Sequence, residues 1–90
     1  MKKGYVAICA YMAEYGSISF EFVDYFTDRK AAVEHIAASI GREWESIDAL
    51  TRNEKAIEKS VEELERTGET RKDWGDGNQY VWKLEEVCNP

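Results

Sequence analysis

Few side chains in this sequence could do chemistry, and their spacing decides what each could do. His35 is the single histidine. As a general base it would need a second group to orient it and a pocket to bring substrate to it. The segment around it reads as an amphipathic helix, and His35 falls nearly opposite Val33 and Ile40, toward solvent. Cys9 would be the nucleophile of a Cys–His pair, because thiolate chemistry needs a base nearby. It lies in the middle of an apolar strand-like run, and His35 points away from the core that this run helps to build. Asp73, Asp76 and Asn78 carry oxygen ligands of the kind calcium takes, within Asp73-Trp74-Gly75-Asp76-Gly77-Asn78. An EF-hand places its ligands at alternate positions with a fixed glycine and a later bidentate Glu, and this spacing departs from that pattern. Turn chemistry accounts for these residues instead. Two cysteines and one histidine show no zinc spacing. Glycine-rich phosphate loops, Walker motifs and Gly-x-Ser-x-Gly elbows are missing from the sequence. The sequence therefore predicts no catalytic residue, no metal site and no cofactor, and the chain reads as a non-enzyme.

Two surfaces rise above this background. Glu54, Glu58, Glu62 and Glu65 line one flank of a helical stripe formed by Ile57, Val61 and Leu64, with Arg52, Lys55, Lys59 and Arg66 on the far side. Like charges four residues apart cost a few tenths of a kcal/mol each, so an acidic row is not selected for helix stability. It could dock a basic partner surface. The second surface is aromatic, since five tyrosines and three tryptophans exceed what a small core needs. If helices cover one face of a sheet, Tyr5, Tyr11 and Tyr25 are expected on the other. Such a face could bind a protein, pair into a homodimer or stack bases.

The elements that must position these residues follow from hydrophobic period. Residues 4–13 are apolar on both phases, which reads as a central strand. Glu14-Tyr15-Gly16 supplies a turn. Residues 17–26 alternate, with Ile18, Phe20, Phe22 and Phe26 expected on one face and Ser17, Ser19, Glu21, Val23 and Tyr25 on the other. Thr27 reads as an N-cap, and Val33, Ile36, Ala37 and Ile40 mark a helix over 28–40 that Gly41 would end. Residues 42–50 are ambiguous between helix and loop, with Trp44, Ile47 and Leu50 at helical spacing. Thr51 to Glu54 fits a capping box, opening a second helix over 52–66 that Gly68 closes. The segment 69–87 reads as a hairpin turning at Gly75-Asp76-Gly77-Asn78, with Tyr80, Trp82 and Leu84 on one face and Val81, Lys83 and Glu85 on the other. The expected fold is one small α+β domain over 1–90. Its order is ββααββ, or ββαββ if 42–50 is loop, with a mainly antiparallel four-stranded sheet and helices on one face.

Ninety residues leave no room for a second core. Eighteen acidic against twelve basic residues give a net charge of −6, which repels phosphate backbones and anionic lipid and disfavours nucleic acid as a partner. Two cysteines, Cys9 and Cys88, are too few for the disulfide framework of a small secreted domain, so reduced thiols are expected. Lys2-Lys3 ahead of Tyr5 to Ala13 imitates a secretory leader, but the apolar stretch is short, holds two tyrosines and runs straight into a turn. No stretch has the length of a transmembrane helix, so no membrane partner is expected and the expected location is cytoplasmic.

These features point to a binding protein that occupies a partner's surface, with a basic protein surface favoured or a second copy of the chain. In size, charge and ββααββ layout the chain is similar to small accessory proteins of phages and mobile elements, including inhibitors of host defence factors. Two alternatives use the same surfaces: a homodimeric assembly protein, and a binder of small ligands or nucleic acid through the tyrosine face.

Overall fold

The run that is apolar on both phases becomes β1 (Lys2–Met12), the strand that must be covered on both sides. The computed structural model describes residues 2–13, 16–47, 54–75 and 77–89. β2 (Ile18–Phe26), α1 (Arg29–Ile47), α2 (Glu54–Thr67), β3 (Glu69–Gly75) and β4 (Asn78–Asn89) follow, giving the ββααββ order expected from the sequence. The strands form one sheet in the order β2-β1-β4-β3, and every neighbouring pair is antiparallel. Strand order was beyond the reach of sequence pattern. The hairpins join through β1 and β4, which leaves β2 and β3 as edges.

Register parity assigns every strand residue to a face. Tyr5, Ala7, Cys9 and Tyr11 of β1 lie beside Glu86, Leu84, Trp82 and Tyr80 of β4 on the side that the helices cover. Val6, Ile8, Ala10 and Met12 lie beside Glu85, Lys83, Val81 and Gln79 on the open side. Ala7, Cys9, Val33, Ile36, Ile40, Ile57, Leu64, Trp82 and Leu84 build a core between sheet and helices. Each large aliphatic side chain buried there contributes about 1.5–3 kcal/mol.

Helix boundaries depart from the sequence expectation at two points. Asp28, not Thr27, caps α1: its Oδ1 accepts the Lys30 N–H at 3.2 Å, while its carbonyl accepts the Ala32 N–H. Gly41 does not end α1, which continues to Ile47 with Gly41 buried inside it. A mid-helix glycine costs about 1 kcal/mol against alanine. Carrying Trp44 onto the core offsets that cost. The capping-box residues Thr51 to Asn53, together with Leu50, lie outside the described residues.

Gly68 does end α2. It sits at φ 84°, its N–H donates to the Leu64 carbonyl at 2.8 Å, and its own carbonyl accepts the Leu84 N–H at 2.8 Å. A Cβ there would stand 3.1 Å from the Leu84 carbonyl oxygen. Gly68→Ala is therefore expected to lower stability by about 1–2 kcal/mol, because an L side chain is strained in the left-handed region. Urea unfolding should show a lower midpoint with an unchanged slope. An unaltered midpoint would mean the junction carries no strain.

Both cysteines are free, Cys9 buried and Cys88 exposed. Cys88 pairs with Lys3 and Trp82 pairs with Cys9, so the thiols sit six residues apart along the ladder. That separation is about 20 Å, far beyond the reach of a disulfide.

Candidate binding face

The chemistry-bearing residues resolve first. His35 keeps about a third of its side chain in solvent, as the helical wheel predicts, but it also meets the sheet edge. Its Nε2 lies 2.9 Å from Asp24 Oδ2, and its ring contacts Phe22 and Phe26 at centroid distances of 4.6 and 5.2 Å. β2 crosses under that side of α1, so a position opposite Val33 still meets the sheet edge. An imidazole oriented by a carboxylate is two parts of a catalytic triad, but among the described residues the ring packs on Phe22 and Phe26. The pair clamps α1 to β2.

Cys9 belongs to a different group. Trp82 Nε1 donates to Ser39 Oγ at 3.0 Å, and Ser39 Oγ donates to Cys9 Sγ at 3.8 Å. Burial pushes the thiol up to about 11, partly opposed by the Ser39 hydrogen bond. A thiol held neutral in this way is the opposite of an activated nucleophile. Tyr80 is pushed up to about 12, first by burial and then by the nearby Glu43 and Glu21 carboxylates. Burial also raises Glu43 above the usual carboxylate range. Beside them Lys72 Nζ sits 4.0 Å over the Trp44 ring, whose Nε1 is buried with no hydrogen-bond partner among the described residues.

The two raised values make a pH prediction. Both groups ionise later in the folded chain than in the unfolded one, so the folded state gains stability from their neutral forms. That contribution is complete below pH 9.0 for the thiol and 10.0 for the phenol, and is lost as pH rises through about 11 and about 12. Urea midpoints measured upward from pH 8 should fall, and Tyr80→Phe should flatten the part of the fall above pH 10. A midpoint that holds steady to pH 11 would contradict the burial of both groups.

The three tyrosines proposed as one exposed face do not share one. Tyr5 packs against the helix-side core, and the Tyr11 ring meets Tyr80 at a tilt on that same side, centroids 5.1 Å apart. Only Tyr25 lies on the open face, where its ring covers Gly4; a Cβ on Gly4 would run into it. The strand run was apolar on both phases, so either phase could have faced the helices. Trp82 and Leu84 on β4 decided it.

The open face is nevertheless apolar, through residues the alternation pattern misassigned. Cys9 pairs with Phe22 while Ala10 pairs with Phe20, so Glu21 is an extra residue, a β-bulge. The bulge flips the strand's phase. Phe22 and Phe26 turn inward to the core, whereas Ile18 and Phe20 turn outward to join Val23 and Tyr25. These four are 56%, 64%, 57% and 50% exposed, the large apolar side chains that folding leaves uncovered among the described residues. Beside them Ala10 and Val81 floor a groove of about 330 Å³, walled by Ile18 and Phe20 on one side and by Arg71 and Lys83 on the other. The far half of the face is charged: Glu69 bridges Arg71 at 3.3 Å and Lys83 at 3.5 Å. One signal in the sequence could have exposed this face. A strand with apolar residues on both phases and a charged residue between two phenylalanines has more apolar surface than one core can take.

The acidic residues of α2 lie where the helical wheel put them. Glu54, Glu58, Glu62 and Glu65 are exposed, while Ile57 and Leu64 are buried. The row is not a uniform field, since Lys59 and Arg66 line the same shallow depression as Glu62, and Arg29 Nη2 donates to the Glu65 carbonyl at 2.7 Å.

Among the described residues, no group of three His, Cys, Asp or Glu is placed to hold a metal ion, and no helix is long and apolar enough to cross a membrane. The fold and face define a two-layer α+β domain with an uncovered sheet. Compared with known proteins, the chain matches no family model, no curated protein and no solved structure.

Proposed function

We propose that this chain is a non-enzymatic protein-binding module that works by laying its open sheet face over a protein surface. The observation that carries this reading is the outward cluster of Ile18, Phe20, Val23 and Tyr25, continuous with the groove over Ala10 and Val81. Monomeric proteins rarely leave so contiguous an apolar surface bare. An apolar centre holding an aromatic, flanked by charged side chains, is the anatomy of a protein interface. Base stacking loses support, because two of the three tyrosines that would have formed the platform face the helices. The acidic α2 strip becomes a secondary surface, suited to steering a basic partner more than to holding it. Size, charge and layout remain those of small accessory proteins of phages and mobile elements, and inhibition by covering a host factor is one form such binding takes.

Site-specific photo-crosslinking tests the reading. A benzophenone side chain replacing Phe20 should give a discrete protein adduct in cell lysate, whereas the same group replacing Glu58 should not. Adducts from position 58 alone would move the binding surface to the helix.

A further inference from the structure

We propose that the partner this face fits is a second copy of the chain, stacked open face to open face about a two-fold axis that runs across the strands. The inference rests on the sheet-face reading above and names its occupant.

Charge supports a like partner. Among the described outward side chains, Glu69, Asp73 and Glu85 oppose Arg71 and Lys83, leaving −1 on this face. The whole sequence carries −6, so most of the acidic excess lies elsewhere. Two copies can approach through this face without the repulsion their net charge would otherwise impose, and the face has no strong field to select an oppositely charged protein.

Area is of the right scale. Eight register pairs join β1 to β2, and four strands of about that length present a footprint of roughly 500 Å² before side-chain relief is added. A standard interface takes about 800 Å² of accessible surface from each partner.

Register supplies the axis. Ladder pairs set Val23, Ile8, Lys83 and Glu69 on one level across the sheet, and Phe20, Ala10, Val81 and Arg71 on the next outward level. An axis across the strands between these levels places each strand over its own copy with direction reversed. Ile8 of the second copy then enters the groove over Ala10, its Val23 meets Phe20, and its Glu69 meets Arg71. Ile8 thus fills the space over Ala10, Val23 packs on Phe20, the Lys83 stem lies along Val81, and the unlike charges of Glu69 and Arg71 meet. Sheets packed in this way lie about 10 Å apart with strands within about 30°, so the match is best at the levels nearest the axis. An axis along the strands would instead set apolar β2 over charged β3, desolvating Arg71 and Glu69 against Phe20.

The test is charge reversal with mixing, read by sedimentation velocity on the full chain from low to high micromolar concentration. The wild type should become a dimer. Glu69→Arg and Arg71→Glu should each weaken it by roughly tenfold or more, since like charges then face each other across the axis. An equimolar mixture of the two variants should restore dimer mass, because the reversed charges become complementary. Circular dichroism matching the wild type shows that each variant is folded. A dimer indifferent to both reversals and to mixing would overturn the axis. A monomeric wild type that still cross-links from position 20 to a different protein would overturn the second copy and leave the sheet-face reading standing. A monomer with no adduct from position 20 would overturn both.

Discussion

Trp82→Ala is expected to cost about 3–5 kcal/mol of folding stability, the range for deleting a buried tryptophan. Trp82 is the largest fully buried side chain among the described residues and sits midway along central strand β4, opposite Cys9 on β1 and Thr70 on β3. Its removal opens a cavity that the sheet backbone cannot close, and it strips Ser39 of the indole N–H that its hydroxyl accepts. Small domains have about 5–15 kcal/mol in total, so this one substitution removes at least about a fifth of the margin. Ser39→Ala separates the hydrogen bond from the packing: it leaves the indole N–H buried without its acceptor, at about 1–3 kcal/mol. Urea unfolding followed by circular dichroism reads both. A loss below 1 kcal/mol for Trp82→Ala would mean that the inner face of β4 is not the centre of the core.

Phe20→Glu is expected to do the reverse, leaving stability within about 0.5 kcal/mol of wild type while strongly weakening association. Phe20 is 64% exposed, so folding gains little from it. It forms one wall of the groove beside Ala10 and Val81, where an aromatic anchor in a partner interface would lie. Losing an interface anchor of this kind costs 2 kcal/mol or more, a fall in affinity of about thirtyfold or more. A carboxylate desolvated on the apolar half of the face adds to that penalty. The binding curve should move to about thirtyfold or more higher partner concentration, with the urea midpoint unchanged. A destabilised variant would instead place Phe20 in the core.

The layout of the fold was legible from residue pattern, and particular residues show where legibility stopped. Tyr80, Trp82 and Leu84 declared their shared face because β4 keeps strict alternation from one end to the other. Ile18 and Phe20 did not, because a single extra residue, Glu21, reverses the phase of β2, and a bulge depends on how the partner strand pairs. Tyr5 and Tyr11 were misplaced for a related reason: a strand apolar on both phases does not say which side the helices take. The partners of His35 are not legible, because a helical wheel reports the angle from one apolar stripe and not the reach of a neighbouring edge strand. Gly41 was read as a stop although its local cost is smaller than the packing gained by continuing to Trp44. Each error came from a long-range partner outweighing a local preference.

The open face also explains the burial of residues that point out of the core. Ala10 and Val81 are 8% and 6% exposed, although no described element covers them, because Phe20 and Ile18 on one side and Arg71 and Lys83 on the other stand above them. The sheet thus presents a recess with an apolar floor, which suits insertion of an aliphatic side chain.

The most direct test of the central claim is quantitative capture of whatever the tagged wild-type chain binds, a second copy included. Phe20→Glu and the triple reversal Glu54→Lys, Glu58→Lys, Glu62→Lys are run beside it. The sheet-face account predicts capture lost in Phe20→Glu and retained in the helix reversal, with both variants folded. Capture retained in Phe20→Glu and lost in the helix reversal would contradict it, and would assign the binding surface to α2.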